Sequence, residues 1–104
     1  MKRVYNKELG NGTSYFGISF YASVNDLINI CGTPIRSNDI NEKSQYDWTL
    51  KTNTDKIFTI YDWKEYRRFN NTEIIKWNIG GYNIESCLIG LNEIMFELSK
   101  NNCD

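Results

Sequence analysis

The 104-residue chain contains no histidine and only one proline, Pro34. Without histidine the commonest general base is missing, and no Ser/His or Cys/His catalytic arrangement can form. No apolar run approaches the length of a membrane span, and the N-terminal residues lack the apolar core of a signal peptide. A net charge of −1 provides no overall attraction to nucleic acid. We therefore expect a non-enzymatic, cytoplasmic protein with no cofactor, no membrane association and no affinity for duplex nucleic acid.

Cysteine is also sparse, and the three cysteines, Cys31, Cys87 and Cys103, are widely separated. Their spacing does not match the paired-cysteine patterns of zinc sites. Cys31 and Cys87 fall on apolar sides of predicted helices, so we expect reduced core thiols and no metal site. Reduced thiols are typical of a reducing compartment.

The length and pattern predict one domain of the α+β class. Residues 1–13 are polar and contain glycine, which is typical of a loose lead-in; the domain spans 14–99, and 100–104 form a tail. The predicted element order is β-α-β-β-β-α, in which an antiparallel sheet carries both helices on one face. The strands are expected at 15–23, 45–52, 57–63 and 73–79, and the helices at 24–31 and from Ile84 to the end of the domain.

Capping chemistry and periodicity define the two helices. Ser23 and Asp26 form a capping box before the first helix, while Gly32 and Pro34 end it. The second helix has Asn83 as its expected N-cap. Its apolar residues recur with the helical period over four turns. They are Cys87, Leu88, Leu91, Ile94, Met95 and Leu98.

Two alternating segments, "QYDWTLKT" and "IFTIYDW", predict a β-hairpin closed by "NTDK". In the second segment Phe58, Ile60 and Asp62 share one face. Ile57, Thr59, Tyr61 and Trp63 share the other.

The stretch after this hairpin is both basic and aromatic. Its candidate ligand-binding residues are Trp63, Lys64, Tyr66, Arg67 and Arg68. Arginine forks can bind phosphate or carboxylate, and aromatic rings can stack on a base. The alternative is a solvated turn whose arginines pair with Asp62, Glu65 or Glu73.

The segment "WNIGGYNIES" carries a second candidate. Gly80 and Gly81 precede the closing helix, and glycines before a helix N-terminus can form a phosphate seat. Asn78 and Tyr82 flank them and complete the candidate set. The alternative is a tight turn in which glycine takes a positive φ. If both candidates belong to one site, the 64–68 connection should meet Gly80 and Gly81 in a pocket.

The closing helix has a further apolar face. Ile89 and Phe96 lie off the main stripe, with Gly90 between them. Glycine within a helix often marks close packing. Either another core element or a second subunit covers this face, and we expect a homo-oligomer with these three residues at its interface.

Several motifs together resemble a family of small, mostly uncharacterised proteins of phage and other viruses. The shared pattern runs F-x-x-S-x-x-D-L-x-x-x-x-G-x-P, Y-x-W, I-Y-D-W-K-x-Y-R and W-x-I-G-G, and it spans roughly residues 16–98. Its positions here are Phe20, Ser23, Asp26, Leu27, Gly32, Pro34, Tyr46, Trp48, Ile60 to Lys64, Tyr66, Arg67, Trp77 and Ile79 to Gly81. Where this chain has Asn78, the family often has histidine, which titrates near neutrality as asparagine cannot.

The resemblance implies a viral accessory protein that acts by binding. One hypothesis is an anti-defence protein that sequesters a nucleotide-type signal in the host cytoplasm. A second is a module that inhibits or scaffolds a host or viral protein, or joins the virion; it predicts a flat apolar patch near Ile89 and Phe96. An enzyme would instead require a buried carboxylate or lysine in a cleft.

Overall fold

The computed structural model describes residues 1–4, 7–36 and 43–101. Within them lie six strands, two α-helices and a 3-10 turn at Lys7–Gly10. The strands are β1 (Lys2–Arg3), β2 (Ser14–Ala22), β3 (Ile35–Arg36), β4 (Tyr46–Lys51), β5 (Ile57–Tyr61) and β6 (Ile75–Gly81). The helices are α1 (Val24–Cys31) and α2 (Ile84–Asn101).

The strands form one antiparallel sheet in the order β1-β4-β5-β6-β2. The predicted hairpin is confirmed, since β4 pairs with β5 from Asp47↔Tyr61 to Lys51↔Ile57. β3 also pairs with β4. β1 and β3 therefore lie on the same outer edge of β4, β3 at its first residues and β1 at its last. β2 forms the opposite edge of the sheet. The α+β prediction is therefore confirmed, with two short strands that the sequence pattern did not indicate.

Helix α1 begins and ends where its capping residues predict. The Ser23 hydroxyl accepts a hydrogen bond from the Asp26 N–H at 3.1 Å, and the Asp26 carboxylate accepts one from the Ser23 N–H at 3.4 Å. Gly32 follows the last helical residue with φ 86°, a conformation that favours glycine.

Both helices cover the same face of the sheet, because their buried residues belong to one core cluster with Trp48 and Trp77. The two indole rings meet edge to face at 5.5 Å between centroids. Each ring nitrogen donates to a backbone carbonyl, from Trp48 to Gly32 at 2.8 Å and from Trp77 to Ala22 at 2.9 Å. These bonds satisfy the polar atoms of the two buried indoles; Trp48 thereby joins β4 to the end of α1, and Trp77 joins β6 to the last residue of β2.

The two cysteines on the helices are buried free thiols, as predicted. Burial raises the pKa of Cys31 to about 12 and also raises that of Cys87. Both thiols are therefore protonated and unreactive at neutral pH. Cys103 lies outside the described residues.

The segment expected as a loose lead-in contributes to the sheet. β1 pairs with β4, and the terminal amino group of Met1 lies 3.1 Å from the Glu93 carboxylate on α2. The "IRSNDINEKS" stretch, predicted as a loop, begins with β3, while its residues 37–42 lie outside the described residues. At the other end, α2 continues to Asn101, so the predicted tail starts later than expected.

Helix α2 buries only part of the predicted apolar stripe. Cys87, Ile94 and Leu98 are buried, whereas Leu88 and Met95 are exposed. Gly90 is buried too, and a Cβ at this position would lie 2.7 Å from Cγ of the Phe58 ring. Gly90 therefore lets α2 approach the sheet, and its prediction as an interface residue is wrong.

Candidate functional site

The sheet face opposite the helices is largely polar. Strand alternation brings four strands together in two rows on this face, as the registers show. One row is Asp47, Tyr61, Asn78 and Ser19; the other is Thr49, Thr59, Gly80 and Tyr15. We call this surface the polar face.

An aromatic and basic group lies at one end of the polar face. Trp63 follows β5, is 46% exposed, and meets Tyr61 edge to face at 6.1 Å between ring centroids. The ammonium groups of Lys43 and Lys64 lie 5.8 and 5.6 Å from the Trp63 centroid. These distances are within the range of cation–π attraction. We call Trp63 with these two lysines the Trp63 platform.

No ion pair among the described residues neutralises the charges of the two lysines, and Lys43 and Lys64 are both exposed. Cation–π attraction leaves the outer side of each ammonium group open to an anion. Two ammonium groups beside a half-exposed indole are suited to a ligand that has both a ring and a negative charge.

Buried Asp62 holds the platform in place. Its Oδ1 accepts hydrogen bonds from the backbone N–H groups of Gln45 at 2.9 Å and Tyr46 at 2.8 Å. Two residues after Asp62, the Lys64 N–H donates to the Lys43 carbonyl at 2.6 Å. The 43–46 segment is thus fixed to the start of the β5–β6 connection, which explains why Lys43 reaches a tryptophan far along the chain.

Asp62 also has an unsatisfied atom, because its buried Oδ2 has no hydrogen-bond partner among the described residues. Burial raises the pKa of Asp62, while its hydrogen bonds from the Tyr46 and Gln45 backbone act in the opposite direction. Asp62 lies on the core side of the sheet and not on the polar face, so we assign it a positioning role.

The backbone of the connection is strained. Lys64 has φ 54° and Tyr66 has φ 51°, in the left-handed region that residues with a side chain rarely adopt. Such strain is found most often at functional sites. Tyr66 is also exposed.

The two arginines of the connection are already engaged. Arg67 donates to both oxygens of the Glu73 carboxylate and lies 3.6 Å from Glu65. The pairing raises the pKa of Arg67 and lowers that of Glu73. Arg68 donates to the Gln45 side chain at 3.3 Å. The solvated-turn interpretation is therefore confirmed for Arg67, which pairs with Glu65 and Glu73. Asp62, the third expected partner of the arginines, binds the 44–46 segment instead.

Gly80 and Gly81 lie within β6 and pair on both sides, with β5 and with β2. Neither has a positive φ, so the expected tight turn is wrong. Glycine is required here by close packing: a Cβ on Gly80 would lie 2.6 Å from Thr59 Oγ1, and one on Gly81 would lie 2.8 Å from Cys87 Sγ.

The antiparallel register separates the two predicted halves of the site. Gly81 lies opposite Phe58, near the start of β5, whereas Trp63 follows the end of that strand. Phe58 and Thr59, which face Gly81 and Gly80, precede Trp63 by five and four residues, a distance of about 13–16 Å along a strand. The predicted pocket between the 64–68 connection and the glycines is therefore wrong.

The start of α2 is satisfied internally. Asn83 Oδ1 accepts hydrogen bonds from the Ser86 N–H and hydroxyl, both at 2.9 Å, which confirms Asn83 as the N-cap. The Tyr82 hydroxyl donates to the carbonyls of Leu9 and Asn11, so this tyrosine holds the 9–11 turn. These contacts give Tyr82 a structural role.

Asn78 does belong to the polar face, where it is buried beside Tyr61. Burial raises the pKa of Tyr61, and the nearby Tyr15 adds to this effect, while the hydrogen bond with Asn78 opposes it. The Tyr61 hydroxyl therefore stays protonated at neutral pH. Sequence reasoning placed Thr59, Tyr61 and Trp63 on one face but did not include Tyr61 in the site, although that alternation was the available signal.

A cavity of about 270 Å³ opens on the β4 and β5 part of the polar face. It is lined by Gly10, Asn11, Ile35, Asp47, Thr49 and Thr59. The 9–11 turn held by Tyr82 forms one wall, and Asp47, which pairs with Tyr61, lies at the side nearer the Trp63 platform.

The remaining interface candidates lie on the solvent side of α2. Phe96 is 63% exposed with the Lys100 ammonium 5.4 Å from its ring centroid, and Ile89 is half-buried. Polar residues surround Phe96, including Asn92 and Glu93. Of the flat apolar patch expected near Ile89 and Phe96, only the Phe96 ring is thus largely exposed to solvent on this side, since Ile89 is half-buried.

Scans against protein-family models and searches of curated proteins and of solved structures found no match to this chain. Neither helix, over the residues described, has the length and apolar character that a membrane span requires. Across 1–4, 7–36 and 43–101, no group of three or more carboxylates and thiols could hold a metal ion.

Proposed function

We propose that this chain is a non-enzymatic binding protein whose ligand is a nucleotide-type anion held at the Trp63 platform. The observation that carries the proposal is an exposed tryptophan with two ammonium groups within 6 Å of its ring, neither in an ion pair among the described residues. A base stacked on an aromatic ring contributes about 1–3 kcal/mol. The lysines would hold the phosphate, and the cavity bordered by Asp47, Thr49 and Thr59 would take the rest of the ligand.

In this proposal the anion is bound by the two lysines and not by the arginines. Arg67 could bind a ligand only by giving up its pairing with Glu73, whereas Lys43 and Lys64 have no such competing partner in the described part of the chain. With the resemblance to viral proteins, the sharpest version is an anti-defence protein that sequesters a nucleotide signal in the host cytoplasm.

The test is a thermal-shift screen of the pure protein with linear, cyclic and ADP-ribose-type nucleotides. A ligand at 100 times its Kd adds about 2.7 kcal/mol of stability. Each kcal/mol raises Tm by about 4–8 °C in a domain of this size. We expect at least one nucleotide to raise Tm, and the rise to disappear in the Lys43→Glu/Lys64→Glu variant.

The matched control is Lys100→Glu, which reverses an exposed charge on α2 across the sheet from the polar face. This variant should keep the full ligand-induced shift. A panel that leaves Tm unchanged, or a shift that survives in the double variant, contradicts the proposal.

A second candidate is the module that binds a host or viral protein, or a virion component. It is favoured by exposed apolar residues on α2, namely Ile84, Leu88 and Met95. Copurification of a defined partner that Leu88→Asp releases would favour this candidate over ligand sequestration.

A further inference from the structure

The strand at one edge of the sheet carries neither charge nor proline to prevent pairing with another strand, and a single bulge is its one protective feature. β2 has nine residues, "SYFGISFYA", and none of them is charged or proline. Within the described residues its inner side pairs with β6 and no strand pairs with its outer side. Natural proteins usually place lysine, proline or a cover on such an edge. The one irregularity is the bulge around Gly17, which has φ 84°.

A row of exposed apolar residues on α2 lies beside this edge. Ile84, Leu88 and Met95 share one flank of the helix, because they are separated by four and seven residues. Met95 lines a cavity of about 280 Å³ together with Tyr21 and Ala22 of β2, which places this flank at the β2 edge. Phe96 lies on a different side of α2, away from β2.

The exposed apolar residues around the edge form what we call the edge patch. They are Phe16, Tyr21, Ile74, Ile84, Leu88 and Met95, with exposures from 39% to 68%. At about 200 Å² for a fully exposed large side chain, complete burial of the patch would remove on the order of 600 Å² per protomer, and a standard interface buries about 800 Å² per partner. Backbone pairing along β2 would add area to this. The edge patch and the strand together therefore approach the size of a standard interface.

We propose that β2 pairs antiparallel with β2 of a second copy of this chain about a two-fold axis. A two-fold axis places β2 of one copy opposite β2 of the other. Because β2 contains no charged residue, this pairing brings no like charges together. The two sheets then become one continuous antiparallel sheet. On the helix side, the α2 flanks of the two copies cover each other's Ile84, Leu88 and Met95, while Tyr21 packs across the junction on the side away from the helices.

The pairing also extends the polar face across both protomers. Tyr15 and Tyr21 of β2 lie in register with Gly80 and Lys76 of β6, on the side away from the helices. The Trp63 platforms lie two strands from the junction in each copy. The proposed interface therefore leaves both ligand sites open and does not depend on the proposed function.

The test is the particle mass of the full chain, measured by light scattering after size-exclusion chromatography over a range of concentrations. We expect about twice the chain mass of 12.2 kDa. Leu88→Asp should shift the mass toward that of one chain, because it places a charge on the covered flank. Tyr21→Lys tests the strand separately, since lysine on an edge strand is a device that natural proteins use against pairing. Phe96→Asp is the matched control and should leave the mass unchanged. Circular dichroism verifies that each variant is folded.

Hydrogen exchange tests the strand pairing itself. Outward-facing amides of β2 should exchange more slowly as the protein concentration rises, because only the paired strand protects them. Three results would overturn the proposal: a single-chain mass at the highest soluble concentration, a dimer that survives both Leu88→Asp and Tyr21→Lys, or a dimer whose β2 exchange is independent of concentration.

Discussion

Replacing Gly90 with alanine changes the free energy of unfolding through two effects of opposite sign. Alanine is favoured over glycine in a helix interior by up to about 1 kcal/mol. At this position, however, the added Cβ would lie 2.7, 2.8 and 3.0 Å from three atoms of the Phe58 ring. Phe58 is fully buried, so its ring has no free space to move into. Overpacking of this kind costs about 1–3 kcal/mol.

We therefore expect Gly90→Ala to lower the free energy of unfolding by roughly 1–2 kcal/mol. Urea denaturation monitored by tryptophan fluorescence measures this change, and a matched control is Asn92→Ala on the exposed side of α2. The control should be neutral or slightly stabilising, since it gains helix propensity without a steric contact.

A double-mutant cycle tests the cause. Phe58→Leu alone should destabilise by leaving a cavity, but it should also reduce the cost of Gly90→Ala by at least about 0.5 kcal/mol. A stabilising Gly90→Ala, or changes at the two positions that add without coupling, would refute the assignment of Gly90 as the point where α2 packs on the sheet.

The remaining predictions concern tryptophan and the buried carboxylate. Trp77→Ala should lower the free energy of unfolding by about 3–5 kcal/mol, whereas exposed Trp63→Ala should change it by less than about 0.5 kcal/mol; equal losses in denaturant titrations would place Trp63 in the core. Asp62→Asn keeps an oxygen for the Gln45 and Tyr46 amides and should be neutral or stabilising at pH 7, while Asp62→Ala should cost about 1–3 kcal/mol. Because the folded-state pKa of Asp62 is raised, its favourable contribution is present at low pH and is lost as the pH rises through that pKa. Wild type should therefore gain stability relative to Asp62→Asn as the pH falls from 7 into the acid range, and a constant difference in urea midpoints would contradict this.

Much of the fold could be predicted because it depends on local physics. The capping box of α1 predicts its first residue, and alternation in "QYDWTLKT" and "IFTIYDW" predicts a hairpin whose turn is too short for any other pairing. The strands β1 and β3 could not be predicted, because each has two residues and no pattern of its own. They exist only because β4 offers an edge with which to pair.

The candidate site was predicted only in part. Trp63 and Lys64 were identified because they are adjacent in a conspicuously aromatic and basic stretch. Lys43 was missed, since its approach to Trp63 depends on Asp62 holding a distant segment by its backbone. The sequence leaves Arg67 open between ligand binding and pairing with Asp62, Glu65 or Glu73, and the pairing with Glu73 forms because the connection folds back.

By itself, the sequence determined the class of the fold, both limits of α1, the start of α2 and the faces of the hairpin, because periodicity and capping act over a few residues. Tertiary structure alone decided the role of the glycines, the separation of Gly81 from Trp63 and the flank of α2 that remains exposed. These features follow from strand register and from the packing of α2 on Phe58. Both are contacts between residues distant in the chain, so no short segment of it can specify them.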